Sequence, residues 1–469
     1  MSLTRGRGGV ATAVVSISLS LAAATVGVGA FLDSRYVSPY LATVTGPLPG
    51  WHAGTERQPL APVLAGAAGD APLPTATGVA GALAPLLGAA GLGGRTALSV
   101  VDAATGQPLY SVAPDTPVAP ASTTKLITAA TVLAARGANY RLATRVVAGA
   151  QPGEVVLVGG GDPTLATGAG GTYPGGARLD LLAAAVKQAL GGAAPTRVSY
   201  DGSAFVGGTG GPGWDDDALT GGHVAPVTAL MVDGGRANPR QVSGPATRVA
   251  RPDVTAAQAF AAAIGVPPAA VAPGTAPPGA RELGVVQSPP MIRLVDVMLT
   301  ESDNVLAEAL ARQVALARAQ PASFDGATAA MKAVLGELGV PVTGYGLRDG
   351  SGMSRFNKLS PALLTTVLAV AARPDRPELH ALFGGLPVAA YSGTLRERYR
   401  RPTAGGAAAG YVRAKTGTLS GVSTLAGIAV DADGRVLAFA LMADAAGPTP
   451  GAQEALDRIA AALAACGCR

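Results

Sequence analysis

"PVAPASTTKLITAATVLAARG", residues 117–137, holds the one serine of this 469-residue chain with a lysine three places after it. Of 35 basic residues only five are lysines, at Lys125, Lys187, Lys332, Lys358 and Lys415; the rest of the positive charge is arginine. An amine gives up its proton when desolvated and a guanidinium does not, so Lys125 asks for a chemical reason. From Ser122 the run is apolar at helical spacing and stops at Gly137, which predicts a helix starting at the serine. Ser122 and Lys125, at i and i+3, then share a face. A serine hydroxyl is a poor nucleophile until a base takes its proton, and a buried amine beside another cation is pushed towards its neutral form. The helix start also offers backbone N–H groups to a developing oxyanion. An N-cap serine followed by a solvated lysine fits the same letters, so the pair does not decide alone.

Two further stretches bear on it. Only one of the four asparagines stands two places after a serine: Ser302 and Asn304, in "SPPMIRLVDVMLTESDNVLAEALARQVA". Helical periodicity breaks there and resumes, which an ordinary helix N-cap also explains. The second is "YVRAKTGTLSGVSTLAGIAV", with Lys415, Thr416, Gly417 and Thr418 on a strand. A protective lysine and a glycine bulge on an edge strand would read the same way. Each is weak singly. Together, once each and in this order, the three are specific.

Around them the chain organises as follows. "RTALSVVDAATGQPLYSV" (95–112) and "TLAGIAVDADGRVLAFALMA" (424–443) read as hairpins, and "GAQEALDRIAAALAA" as an amphipathic C-terminal helix. Hairpins at both ends, each near a helix, predict one antiparallel sheet assembled from both termini with helices packed on it. From 145 to 285 the chain turns strand- and loop-rich, as an inserted domain would, and 286–400 returns to helices. The catalytic body is therefore expected at 91–144 and 286–469. At the N-terminus, "MSLTRGRGG" precedes an uncharged apolar run at 10–32, so 1–33 is expected to be a signal peptide or signal anchor. Residues 34–90, rich in Ala, Pro and Gly, are expected to be a tether. No cysteine lies near the N-terminus for lipid attachment. Cys466 and Cys468 alone exist; a bond across one residue would be strained, so no disulfide framework is expected.

Composition excludes other classes. Hydrophobic residues are 48% and charged ones 14%, against a disordered chain. The net charge is +5 with aromatics at 4%; the arginines are scattered, so no basic stripe or stacking platform points to nucleic acid. No zinc-ligand spacing occurs, and neither a metal nor another cofactor is expected. A G-x-S-x-G elbow is absent, which removes an α/β-hydrolase.

S-x-x-K, S-D-N and K-T-G form the motif set of penicillin-binding proteins and serine β-lactamases. "VGGGDPTL" (158–165), "DGSGMSRFNKLSP" (349–361) and "SGTLRERY" (392–399) narrow the likeness. Over residues 95–465 the chain resembles the class C low-molecular-mass penicillin-binding proteins, D-alanyl-D-alanine carboxypeptidases and endopeptidases. The resemblance implies an α/β (α+β) penicillin-binding fold with an antiparallel sheet flanked by helices and a β-rich insert. It implies that Ser122 is acylated, with Lys125 as general base. Ser302 would relay the proton, and Asn304 would hold the substrate backbone. Lys415, Thr416 and Thr418 beside Gly417 would receive the terminal carboxylate of D-Ala-D-Ala, and the N–H groups of Ser122 and Thr418 would form the oxyanion hole. Lys415 would also help keep Lys125 neutral. The implied partners are peptidoglycan stem peptides and, as covalent inhibitors, β-lactams. The implied location is the extracytoplasmic envelope, secreted or anchored to the outer face of the plasma membrane. "DGSG" (349–352) reads as a Gly-rich turn near the site, with its role open, and a second nested insert is also left open. A β-lactamase and a non-catalytic peptidoglycan-binding relative remain as alternatives. Class A β-lactamases use an added glutamate in an E-x-x-L-N context, of which this chain has none, and intact motifs speak against the second.

Overall fold

A computed structural model describes residues 71–400, 403 and 405–469. The expected signal segment and the tether up to residue 70 lie outside them. In chain order the described elements are α1 (Ala76–Leu83), β1 (Arg95–Asp102), β2 (Pro108–Val112), α2 (Thr124–Arg136), β3 (Ala143–Ala148), β4 (Glu154–Val158), α3 (Leu179–Ala189) and β5 (Arg197–Asp201). Then follow α4 (Pro252–Ile264), β6 (Val271–Pro273), β7 (Glu282–Gln287), α5 (Met291–Thr300), α6 (Asn304–Ala317), α7 (Phe324–Glu337), α8 (Pro361–Ala372) and α9 (Ala381–Gly385). The chain closes with β8 (Val412–Leu419), β9 (Val422–Val430), β10 (Val436–Asp444) and α10 (Thr449–Ala464). Among the described residues no helix is long and apolar enough to cross a membrane.

The first sheet runs β2-β1-β10-β9-β8, antiparallel throughout, so strands from the two ends of the sequence lie side by side. Val100 stands opposite Phe439 and Ala97 opposite Met442. Side chains alternate across a strand, and here both faces are covered. Ala438, Ala440 and Met442 of β10 join a core built with α2, α5, α6 and α8. Leu437, Phe439 and Leu441 join the opposite core, with Leu456 and Ile459 of α10 and Val79 and Leu83 of α1. Two buried faces explain why β10 reads as a continuous apolar run.

Part of the expected tether is therefore folded. Thr75 caps α1, its hydroxyl accepting from the N–H of Gly78, while Val79 and Leu83 bury against the C-terminal helix. Two large apolar residues among alanines and glycines were too sparse to show a helical period. Gly78 is needed there: a Cβ on it would stand 2.6 Å from the carbonyl oxygen of Cys468. The two tail cysteines, expected to carry no framework, are joined across one residue (Cα–Cα 4.9 Å).

The segment from β3 to β7 builds a second sheet, β6-β5-β4-β3-β7. It is not simply β-rich. Its β4–β5 and β5–β6 pairings are parallel, and parallel neighbours need crossover connections, here supplied by α3 and by the stretch containing α4. Both helices pack on one face, through Leu182, Val186, Ala257 and Phe260. Entry and exit strands pair with each other, Ala143 opposite Gln287, so the segment leaves and rejoins the rest at one place. Between β5 and α4 the chain runs through turns and returns to the first sheet's neighbourhood. The Arg355 N–H donates there to the Gly213 carbonyl.

Candidate active site

Ser122 sits in a short 3₁₀ turn, Ala121–Thr123, that feeds directly into α2. Its neighbour Ala121 has φ +46°, a left-handed conformation that costs a non-glycine residue about 1–2 kcal/mol. Tight packing holds the turn in place. The hydroxyls of Thr123 and Thr424 both donate to the Pro120 carbonyl, at 2.7 and 2.8 Å. From one side Gly417 of β8 presses in: a Cβ there would lie 2.1 Å from the Thr424 Oγ1 and 2.8 Å from the Pro120 oxygen. From another side comes Gly352, at φ +88°, where a Cβ would meet the Ala121 oxygen at 1.8 Å. Both glycines are thus required by close backbone approach.

Lys125, one turn into α2, is fully buried. Its Nζ donates to the Ser122 Oγ at 2.9 Å, the Asn304 Oδ1 at 2.7 Å and the Ser351 carbonyl at 2.6 Å. An ammonium has three hydrogens and fills all three contacts. The neutral amine has two. Carbonyl oxygens only accept, so Asn304 and Ser351 claim those two hydrogens and the lone pair is left facing the serine hydroxyl. Burial pushes Lys125 down to about 8, against the pull of Asp349, Glu308 and Asp303.

Lys415 is also fully buried and donates to the Thr416 carbonyl at 2.9 Å. Burial first, and then Lys125, hold it well below the usual lysine range. Burial is the largest cause for both lysines, and repulsion between the two neighbouring amines disfavours both being charged together.

The remaining expected residues are placed unequally. Thr418 and Asn304 line, with Ser122, a cavity of about 340 Å³. Thr416 lies beside it on β8, its hydroxyl paired with that of Thr394 at 2.8 Å. The Asn304 Nδ2 donates to the His223 carbonyl at 3.0 Å. Ser302, at φ +57°, lines an adjacent smaller cavity with Asn304 and His223. Its hydroxyl has no hydrogen-bond partner among the described residues. Between them Asp303 caps α6, its carboxylate accepting from the Leu306 N–H, the Tyr173 hydroxyl and Arg236. Burial works to raise Asp303, but Arg236, the Leu306 N–H, Arg248 and Tyr173 outweigh it and its pKa is lowered.

Several contributors escaped the sequence reading. "DGSG" is more than a turn: the Ser351 carbonyl holds Lys125, and the Gly350 carbonyl accepts from Thr128. Asp349 pins the loop by accepting from the N–H groups of Gly352 and Ser354, from Asn357 and from the Trp214 indole. The inserted segment brings Asp215, Asp217 and His223 to the wall of the Ser122 cavity. A tryptophan followed by three aspartates, "GWDDDAL", was the available signal in a chain with so few charges and only two tryptophans. Among the described residues no group of three or more His, Cys, Asp or Glu side chains is arranged to hold a metal ion.

The model of the D-Ala-D-Ala carboxypeptidase 3 (S13) family matches residues 80–263 and 241–464. A Mycobacterium tuberculosis carboxypeptidase is 41% identical over 91% of this chain and 91% of its own. Carboxypeptidase DacB of Mycolicibacterium smegmatis is 43% identical over 85% of this chain and 86% of its own. In fold the chain is similar to the crystal structure of penicillin binding protein 4 (DacB) from Haemophilus influenzae. The TM-score is 0.64 at 23% identity, covering 82% of this chain and 98% of that one. With a family match across both sheets, relatives of the same length and a shared penicillin-binding fold, the chain belongs to the D-Ala-D-Ala carboxypeptidase 3 (S13) family.

Proposed function

We propose that this carboxypeptidase removes the terminal D-alanine of peptidoglycan stem peptides through an acyl-enzyme on Ser122. The observation that carries the residue assignment is the Lys125 amine, 2.9 Å from the Ser122 Oγ with its other two contacts taken by carbonyl oxygens. In the first step the Ser122 oxygen attacks the penultimate D-Ala carbonyl carbon and its proton passes to neutral Lys125. The N–H groups of Ser122 and Thr418 receive the oxyanion. The C–N bond then breaks, the leaving D-alanine amine takes up a proton from Lys125, and Ser302 serves as relay. Water, deprotonated by the same lysine, cleaves the ester and frees Ser122. The terminal carboxylate of the substrate docks beside Lys415, with the Thr416 and Thr418 hydroxyls, and the Asn304 amide holds the substrate backbone. Because Lys415 is held below its usual range when empty, an arriving carboxylate draws a proton onto it.

The same acylation chemistry accepts β-lactams, whose ring amide replaces D-Ala-D-Ala, and the same site serves cross-link cleavage as an endopeptidase. Residues 91–144 and 286–469 form the catalytic body in this reading, and 145–285 the insert. Action on peptidoglycan places the protein in the extracytoplasmic envelope, exported through its N-terminal segment and either secreted or anchored there. The direct test is intact-mass analysis after benzylpenicillin, with one adduct expected on the peptide containing Ser122. An adduct that persists in Ser122→Ala would remove the assignment.

A further inference from the structure

The loop that supplies the Ser351 carbonyl to Lys125 has its own support. Glu308, on the second turn of α6, is buried and accepts from the N–H groups of Gly350 (3.1 Å) and Ser351 (2.8 Å) through one oxygen. Its other oxygen pairs with the Arg312 guanidinium at 3.3 Å, one helical turn further on. Arg312 is itself buried, its guanidinium carbon 4.1 Å from the Phe324 ring centre and 5.5 Å from that of Phe205. Gly350 lies so close to α6 that a Cβ on it would meet the Ala311 Cβ at 2.4 Å. The carboxylate therefore holds the two peptide units just before the one whose Ser351 carbonyl binds Lys125, and Asp349 holds the Gly352 N–H of that last unit.

We propose that Glu308 is a positioning residue for acylation: its carboxylate holds the Gly350–Ser351 backbone against Lys125, and its negative charge bears on the proton that Lys125 must release. The inference rests on the reading of Lys125 as general base. The charged groups facing Lys125 are Asp303 before α6, Glu308 on α6, Asp349 on the loop and Lys415 on β8. Those facing Glu308 are Asp349, Arg312 and Lys125. Burial, with Asp349 adding to it, pushes Glu308 up to about 7, against Arg312 and the N–H groups of Ser351 and Gly350. A charged Glu308 favours the ammonium form of Lys125, and a neutral one releases it. Two groups so close titrate as a coupled pair.

Glu308→Gln keeps an oxygen for the two N–H groups and removes the charge. Acylation by a fluorescent penicillin, followed against pH, should show the midpoint of the acid limb displaced by about one unit to lower pH, with the plateau changed less than about threefold. A merely structural glutamate would lower the plateau or the melting temperature and leave the midpoint where it was. Coupling is reciprocal, so a second measurement needs no Glu308 variant. In ¹³C-glutamate-labelled protein the Glu308 carboxyl should titrate about one unit higher in Lys125→Met, where the neighbouring cation is gone. This reports on the contact whether or not Lys125 is the base. Loss of the base role would instead appear as a normal acylation rate in Lys125→Arg. An unmoved acid limb in Glu308→Gln overturns the proposal. If that variant does not fold, a Glu308 carboxyl whose titration ignores Lys125→Met does the same.

Discussion

Acylation of Ser122 should follow the neutral fraction of one buried amine. With Lys125 pushed down to about 8, roughly 1% is neutral near pH 6, roughly 9% near pH 7 and roughly 90% near pH 9. The second-order acylation rate should therefore rise about 90-fold across that span. The sign follows from the role: only the unprotonated amine has a lone pair for the serine proton, so the rate is lost as pH falls through the lysine's own value. Below about pH 7 the slope should slacken, because Glu308 takes up a proton there and weakens its hold on the ammonium form. The assay is stopped-flow acylation with a penicillin whose own ionisation lies well below this range, with circular dichroism confirming that the fold persists throughout. Lys125→Arg is the companion variant. It retains charge but has no accessible neutral form, so it should lose about 10²–10⁴-fold near pH 8 and show no limb. A rate independent of pH between about 6 and 9, or an arginine variant that acylates like the parent, would refute the reasoning.

Replacing Lys415 by Met should lower kcat/KM by the equivalent of about 2–5 kcal/mol on peptides ending in a free D-Ala carboxylate, and by much less on the amidated peptide; equal losses would mean that Lys415 does not read the carboxylate. Gly352→Ala places a Cβ 1.8 Å from the Ala121 oxygen at φ +88°, and should cost about 3 kcal/mol in denaturant unfolding together with most of the acylation rate. Gly421→Ala is the control. It has φ +75° but open space around it, so it should cost only about 1–2 kcal/mol and leave acylation intact.

Much of this was legible without coordinates because the signals are local. Ser122 and Lys125 are neighbours by helical geometry alone. The β1–β2 and β9–β10 hairpins announce themselves through alternation around turn residues. The S-D-N turn shows as a break between two helical periods. Contacts between distant segments were not legible. No residue type encodes the Ser351 carbonyl that Lys125 uses, since it is backbone, and its place depends on Glu308 and Asp349 from different parts of the chain. The glycine- and proline-rich stretch between β5 and α4 has no period to read, yet it brings His223 to Asn304 and Asp215 to the cavity wall. Helix α1 was hidden because its two buried apolar residues, Val79 and Leu83, stand among small ones, and their burial against the C-terminal helix is a long-range contact. The proton balance of the two lysines is also a tertiary property. Spacing puts an amine beside a serine, but the degree of burial and the ring of carboxylates set how far each lysine is pushed towards its neutral form, because desolvation depends on everything packed around a charge and not on its neighbours in sequence.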